Sequence, residues 1–97
     1  MLFLVRFTDQ PDSLALRQRL LDEHVAWCAR HRQTVLVAGS LRVEPGAAPV
    51  GGAWVVEAGD KAEVEALMRT DPFWTGGLRA GVEILHWSKA LPEKALV

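Results

Sequence analysis

The strands that this chain can form are apolar on both faces, and it offers only two helical stretches to cover them. In residues 2–7, Phe3, Val5 and Phe7 oppose Leu2 and Leu4. In residues 34–41, Val35 and Val37 oppose Leu36 and Ala38, and in residues 53–58, Trp54 and Val56 oppose Ala53 and Val55. Runs that are apolar at both parities belong to sheets buried on both sides. Two helices cover one side, and a bare apolar patch of sheet size is a liability in a soluble monomer. A homodimer packing sheet against sheet, with C2 symmetry, is therefore expected. A chain of 97 residues fits one domain, 1–97, and gains from the burial that a second subunit adds.

The punctuation between the strands gives the order. Gln10, Pro11, Asp12 and Ser13 supply turn chemistry, with Asp12 or Ser13 available as an N-cap. Over residues 14–31 two adjacent rows recur at helical spacing: Leu14, Leu21, Val25 and Cys28 in one, and Leu20, His24, Trp27 and His31 in the other. Together they predict one broad apolar stripe that contains His24. The strand of residues 34–41 carries Gly39 and is followed by a Pro/Gly/Ala-rich loop over residues 44–52, so it forms a long-looped hairpin with the strand of residues 53–58. Asp60 then caps a second helix that runs from Lys61 to about residue 70, where Pro72 disfavours helical geometry at Asp71 and lacks a backbone donor. A turn, Asp71-Pro72-Phe73-Trp74, and Gly76-Gly77 lead to a last strand over residues 82–87. The order is βαββαβ. With right-handed crossovers this predicts an α+β, ferredoxin-like antiparallel sheet with both helices on one face. The tail over residues 89–97 is expected to be an extension or a dimer-contacting arm.

Composition narrows the partners. Eleven basic against twelve acidic residues leave no basic stripe, which argues against nucleic acid and anionic membranes. The opening apolar run is interrupted by Arg6 and Asp9, too short for a secretory core or a membrane span. A soluble, cytoplasmic protein is expected. Cys28 is the single cysteine, which excludes an internal disulfide and a cysteine-rich zinc site. No metal-ligand motif and no phosphate-binding glycine loop is recognisable, so no cofactor is expected.

The short N-terminal strand, the Glu23-His24 step in the first helix, the run Val37-Ala38-Gly39-Ser40-Leu41, the Asp71-Pro72-Phe73 turn and the closing Ile84-Leu85-His86-Trp87 share one order and spacing. In these features, over nearly its whole length, the chain resembles the YCII-related (YciI-like) family of small dimeric α+β-barrel proteins. The resemblance implies kinship in fold with muconolactone isomerase and an active-site His-Asp pair on His24 and Asp71. It further implies lyase or dehydrochlorinase chemistry on oxygenated aromatic-ring compounds. The chain departs from the family pattern at Ser40, where many members carry proline, and its loop over residues 43–52 lacks the longer glycine- and serine-rich segment of some relatives.

Histidine suits this role because its ordinary titration range lies near neutrality, and a carboxylate on one ring nitrogen fixes the tautomer and stabilises the imidazolium. His24 would act as base or acid and Asp71 would orient it. Trp27, Phe73 and Trp74 bring aromatic surface to the two residues, either as pocket walls for a planar substrate or as core and interface packing. Arg6 is expected either to bind a carboxylate or phenolate through its guanidinium fork or to form an interfacial ion pair. Ser40 is a candidate ligand contact beside Gly39, or simply a satisfied hydroxyl. Cys28, one turn after His24, reads as a small core residue. Two functions remain open: a cofactor-free lyase or isomerase moving a proton on a small cyclic or aromatic-derived substrate, and a non-catalytic small-ligand binding or accessory dimer.

Overall fold

The computed structural model describes residues 1–93, so part of the predicted C-terminal extension lies outside the described residues. Four strands, β1 (Leu2–Asp9), β2 (Val35–Leu41), β3 (Gly51–Glu57) and β4 (Arg79–Trp87), form one sheet in the order β2-β3-β1-β4. Every neighbouring pair is antiparallel. The helix α1 (Leu14–Arg30) connects β1 to β2, and α2 (Lys61–Met68) with a single-turn α3 (Pro72–Thr75) connects β3 to β4. This is the ferredoxin-like α+β arrangement that the element order predicts.

Alternation along β1 and β3 decides which face is the core. Phe3, Val5 and Phe7 of β1 and Trp54 and Val56 of β3 are buried together with Trp27, Val64 and Met68 from the helices. An aromatic contact joins the two layers: Trp27 stacks on Trp54 with ring centroids 5.1 Å apart. On the opposite face Leu4 stands between Val55 and Leu85, with Val37 beyond Val55, and Leu2 pairs with Trp87. Leu85 and Trp87 are 45% and 47% exposed, so this second apolar face is uncovered in the protomer.

The parity expected for β2 requires correction. Val35 opposes Val56 and Val37 opposes Val55, so a bulge lies between them and Leu36 is the extra residue. Val35 consequently faces the core and Val37 faces outward, whereas simple alternation puts both on one face. Two strands also begin earlier than expected. Gly51 and Gly52 pair with Thr8 and Phe7, and Arg79 pairs with Asp9 across a register shift.

The helix termini also refine the sequence reading. Asp60 caps α2 by accepting from the Glu63 amide, while Glu63 Oε2 reaches back past the cap to accept from the Gly59 amide, a variant of the capping box. Ser13 occupies the N-cap of α1 without capping it, because its hydroxyl donates to the Gln10 carbonyl. The expected Asp-Pro turn is a short helix: Asp71 accepts from the Phe73 amide at 3.1 Å and Pro72 takes the first helical position, where its missing N–H costs nothing. In α1 the buried residues are Arg17, His24 and Trp27, whereas Leu14, Leu21 and Val25 are exposed. The apolar stripe is thus narrower than predicted, and a polar half has taken its place.

Candidate functional site

Two elements distant in sequence bring the site together. On α1, His24 lies one turn before Trp27 and Cys28, on the buried face of the helix. On the other side, the Asp71-Pro72 junction turns the chain into α3, so that the Asp71 side chain that caps this helix also meets the imidazole. Nδ1 of His24 lies 2.7 Å from Oδ1 of Asp71. His24 is 9% exposed and Asp71 fully buried. A carboxylate only accepts, so Nδ1 donates, and in the neutral imidazole Nε2 then keeps the lone pair. Phe73 fixes the ring plane by stacking on His24 at 3.8 Å and 7°. Oδ2 of Asp71 is buried without a hydrogen-bond partner, an uncommon condition for a native carboxylate.

The free nitrogen of His24 faces a thiol: Sγ of Cys28 lies 3.5 Å from Nε2. Burial, with the Asp71 carboxylate adding to it, pushes the Cys28 thiol up from its ordinary 9.0 to about 11. The thiol is therefore held protonated and is a poor nucleophile near neutrality, which favours a packing role for Cys28. Its alkylation by iodoacetamide at pH 8 is expected to be roughly 100-fold slower than that of an ordinary cysteine, rising about tenfold per pH unit toward pH 11. A rate at pH 8 matching that of a free thiol would contradict this geometry. Because the folded value lies above the unfolded one, the same group costs stability as pH rises from about 9 through about 11.

Three further polar residues adjoin the pair, and the sequence reading did not single them out. Asp9 ends β1 and accepts from Arg17 Nη2 through Oδ2 and from Arg79 Nη1 through Oδ1, both at 2.7 Å. Arg17 Nη2 also donates to the Gly51 carbonyl at 3.2 Å. The two guanidinium carbons lie 5.1 and 5.0 Å from the centroid of Phe73, the ring that supports His24. Arg79 also covers Phe7 at 4.4 Å, and burial lowers its pKa against the pull of Asp9. Arg17 carried a usable signal, since it precedes His24 by seven residues and so shares its helix face. Arg79 and Asp9 meet only through the β1–β4 register, which no local pattern reveals. Beside this cluster lies a cavity of about 490 Å³, lined by residues that include Asp9, Pro11, Leu14, Arg17, Pro49 and Val50.

The other expected site residues are distributed unevenly. Phe73 is at the pair. Trp27 shares the α1 face but is a core residue, with its ring on Trp54 and Nε1 donating to Thr70 Oγ1 at 2.9 Å. Trp74 packs against the core cluster. Arg6 stands on the opposite, outer face of the sheet, where it pairs with Glu83. Ser40 is exposed on the edge strand β2, opposite Gly52. Among the described residues no three His, Cys, Asp or Glu side chains converge as a metal site, and no helix is long and apolar enough to cross a membrane.

A ferredoxin-like antiparallel sheet with a buried His-Asp pair between its helices defines a small α+β protein. The YCII-related domain model matches residues 1–88, and the chain belongs to that family. Its fold is similar to that of 5-chloro-2-hydroxyhydroquinone dehydrochlorinase from Burkholderia phenoliruptrix, solved in complex with 2,5-dihydroxybenzoquinone. The TM-score is 0.82 at 29% identity, covering 91% of this chain and 94% of the other. A structure from Bacteroides thetaiotaomicron assigned to the antibiotic biosynthesis monooxygenases is similar in fold, with TM-score 0.60 at 19% identity, covering 100% of this chain and 95% of that one. No curated protein matches the chain.

Proposed function

We propose that the chain is a cofactor-free lyase of the dehydrochlorinase kind, acting on a small oxygenated ring compound. The observation that carries this reading is the 2.7 Å contact between His24 Nδ1 and Asp71 Oδ1 in a buried setting. Asp71 holds the proton on Nδ1, which leaves Nε2 as the base. In the step proposed, Nε2 accepts a proton from the ring substrate, the released electron pair enters the ring, and the carbon–chlorine pair departs as chloride. Asp71 then stabilises the imidazolium, and proton return to solvent resets the site. Structural likeness to a dehydrochlorinase at 29% identity supports the substrate class. The test is chloride release from chlorinated hydroxyhydroquinones under anaerobic conditions, with His24→Ala and Asp71→Asn as controls.

A second reading, a ligand-binding dimer without turnover, has one observation in its favour: His24 is not among the residues lining the 490 Å³ cavity. Binding of a ring compound without chloride release would select it.

In either case the protein is proposed to act as a homodimer through the outer sheet face, because Leu4, Val37, Val55, Leu85 and Trp87 form an apolar surface that the helices do not cover. Sedimentation of the wild type at micromolar concentration is expected to give twice the protomer mass. Leu85→Glu, which sets a charge among these residues, is expected to give the protomer mass. A wild-type monomer would refute the assignment.

A further inference from the structure

We infer that Arg79 is a positioning residue for the proposed base: its buried guanidinium supplies the positive charge that the Asp71 carboxylate requires, so that His24 rests as a neutral imidazole with Nε2 free to take a proton. The inference rests on the reading of His24 as the base, and it adds what keeps that base unprotonated.

The need lies with Asp71. Its carboxylate is fully buried, and Oδ1 accepts from His24 Nδ1 and from the Phe73 amide, both uncharged donors while the imidazole is neutral. A buried ion that faces no opposite charge is among the costliest groups a fold can hold. With no other cation at hand, a buried His-Asp pair meets that need by taking up a proton and becoming imidazolium and carboxylate. Nε2 then carries a hydrogen and is no longer a base.

Arg79 removes the need. Its side chain is 2% exposed, so the guanidinium faces protein and is not offered to solvent or ligand. The chain sets it beside the pair, because the Leu78 amide donates to the Phe73 carbonyl at 3.0 Å and so brings the start of β4 against α3. Asp9 holds Nη1 at 2.7 Å, Phe7 and Phe73 flank the guanidinium carbon at 4.4 and 5.0 Å, and glycine at position 52 leaves Nη2 its room. Nε is left without an acceptor, and Asp71 Oδ2 without a donor. Donor and acceptor of opposite charge are thus left over in one cluster and do not bond each other. Their link is charge across space, which is strong where water is excluded.

The count of charges agrees. Asp9 and Asp71 face Arg17 and Arg79, so the cluster is neutral with an imidazole and carries a net positive charge with an imidazolium. Cys28, the other titratable group at the ring, is held protonated and adds no charge. Beyond burial, Asp71 and Arg79 act on that thiol in opposite senses, and Sγ lies 3.5 Å from Nε2. Both charges are therefore felt beside the reacting nitrogen.

Two readouts need no substrate. In nitrogen NMR spectra of the imidazole rings at pH 7, with the His24 signals assigned by their loss in His24→Ala, the wild type is expected to show Nε2 far downfield, as a bare nitrogen. Arg79→Gln is expected to move it upfield to the position of an imidazolium N–H. The same proton makes that variant's stability depend on pH. Its fold holds a proton that the unfolded chain releases, so the stabilisation is present at low pH and lost as pH rises. Between about pH 6 and 9 its melting temperature is expected to drop by at least about 4 °C more than that of the wild type. Asp71→Asn/Arg79→Gln, which removes both charges, is expected to lack this drop and to be the more stable of the two variants at pH 9, even where the single variant does not fold. An imidazolium in the wild type, a bare Nε2 in folded Arg79→Gln, or a double variant no more stable than Arg79→Gln at pH 9 would each overturn the inference. Chloride release by Arg79→Gln is expected to be at least about tenfold lower at pH 7, with the deficit narrowing as rising pH frees the imidazole. A deficit that stays constant with pH would mark a merely structural role. Failure of the proton-transfer reading is separate: it appears as undiminished chloride release in His24→Ala, whatever the nitrogen spectra and melting curves show.

Discussion

Replacing His24 by alanine is expected to lower chloride release from a chlorinated hydroxyhydroquinone by about 10²- to 10⁴-fold, the usual worth of one positioned acid-base group. The fold should survive, because His24 is only one of the side chains on the buried face of α1 and Trp27, its main core contact, is untouched. Asp71→Asn should lower turnover as well, through a different route. Its remaining carbonyl oxygen still accepts from the Phe73 amide and preserves the cap of α3, but the amide removes the charge that stabilises an imidazolium. Asp71 is thus a positioning residue and His24 a catalytic one in the proposed reaction. Measured side by side below the melting range of each, the two variants should show a fall in chloride release, with His24→Ala also melting lower than Asp71→Asn because it leaves the buried Asp71 carboxylate without its imidazole partner. Full activity in His24→Ala would remove the mechanism.

Much of this architecture was legible because it is written in alternation. Phe3, Val5 and Phe7, and Trp54 and Val56, show their faces by period two, and Lys61 to Met68 shows its helix by the spacing of Val64, Leu67 and Met68. What the sequence hid was physical information that alternation does not carry. A single bulge at Leu36 reversed the facing of the rest of β2. On α1 the row of Leu14, Leu21 and Val25 stayed exposed while Arg17 joined the expected His24 and Trp27 on the buried face, because its guanidinium found the Asp9 carboxylate. Burial follows partnership for charged groups, and partnership is a property of topology. The His24–Asp71 contact spans 47 positions and the Arg79–Asp9 contact spans 70, so their distances depend on the assembled sheet. Asp71 followed by Pro72 did carry a local signal for a helix start, cap then proline, that a reading of proline as a terminator passes over.

Gly51→Ala is expected to be the most damaging single methyl group that can be added to this protein. A Cβ built at position 51 would lie 2.0 Å from the Phe7 carbonyl oxygen and 3.0 Å from its carbon, both backbone atoms of the neighbouring central strand. Neither can turn aside as a side chain would, so β3 must pull away from β1 at this end. The expected cost is about 3 kcal/mol or more, at the upper end of single substitutions, which for a domain of this size lowers the melting temperature by roughly 12–24 °C. Gly39→Ala is the internal control, since nothing lies within 4 Å of its added Cβ, and it should melt within a few degrees of wild type. Gly52→Ala should fall between the two, meeting Arg79 Nη2 and the Gly39 carbonyl oxygen at 3.0 Å. The two damaging positions act on the site differently. Gly51 sets the sheet end and supplies the carbonyl that receives Arg17, whereas Gly52 lies beneath the guanidinium of Arg79. Thermal unfolding followed by circular dichroism therefore ranks 51, 52 and 39 in that order. If Gly51→Ala melts with the wild type, the close approach of β3 to β1, and with it the seating of both arginines, is not as described.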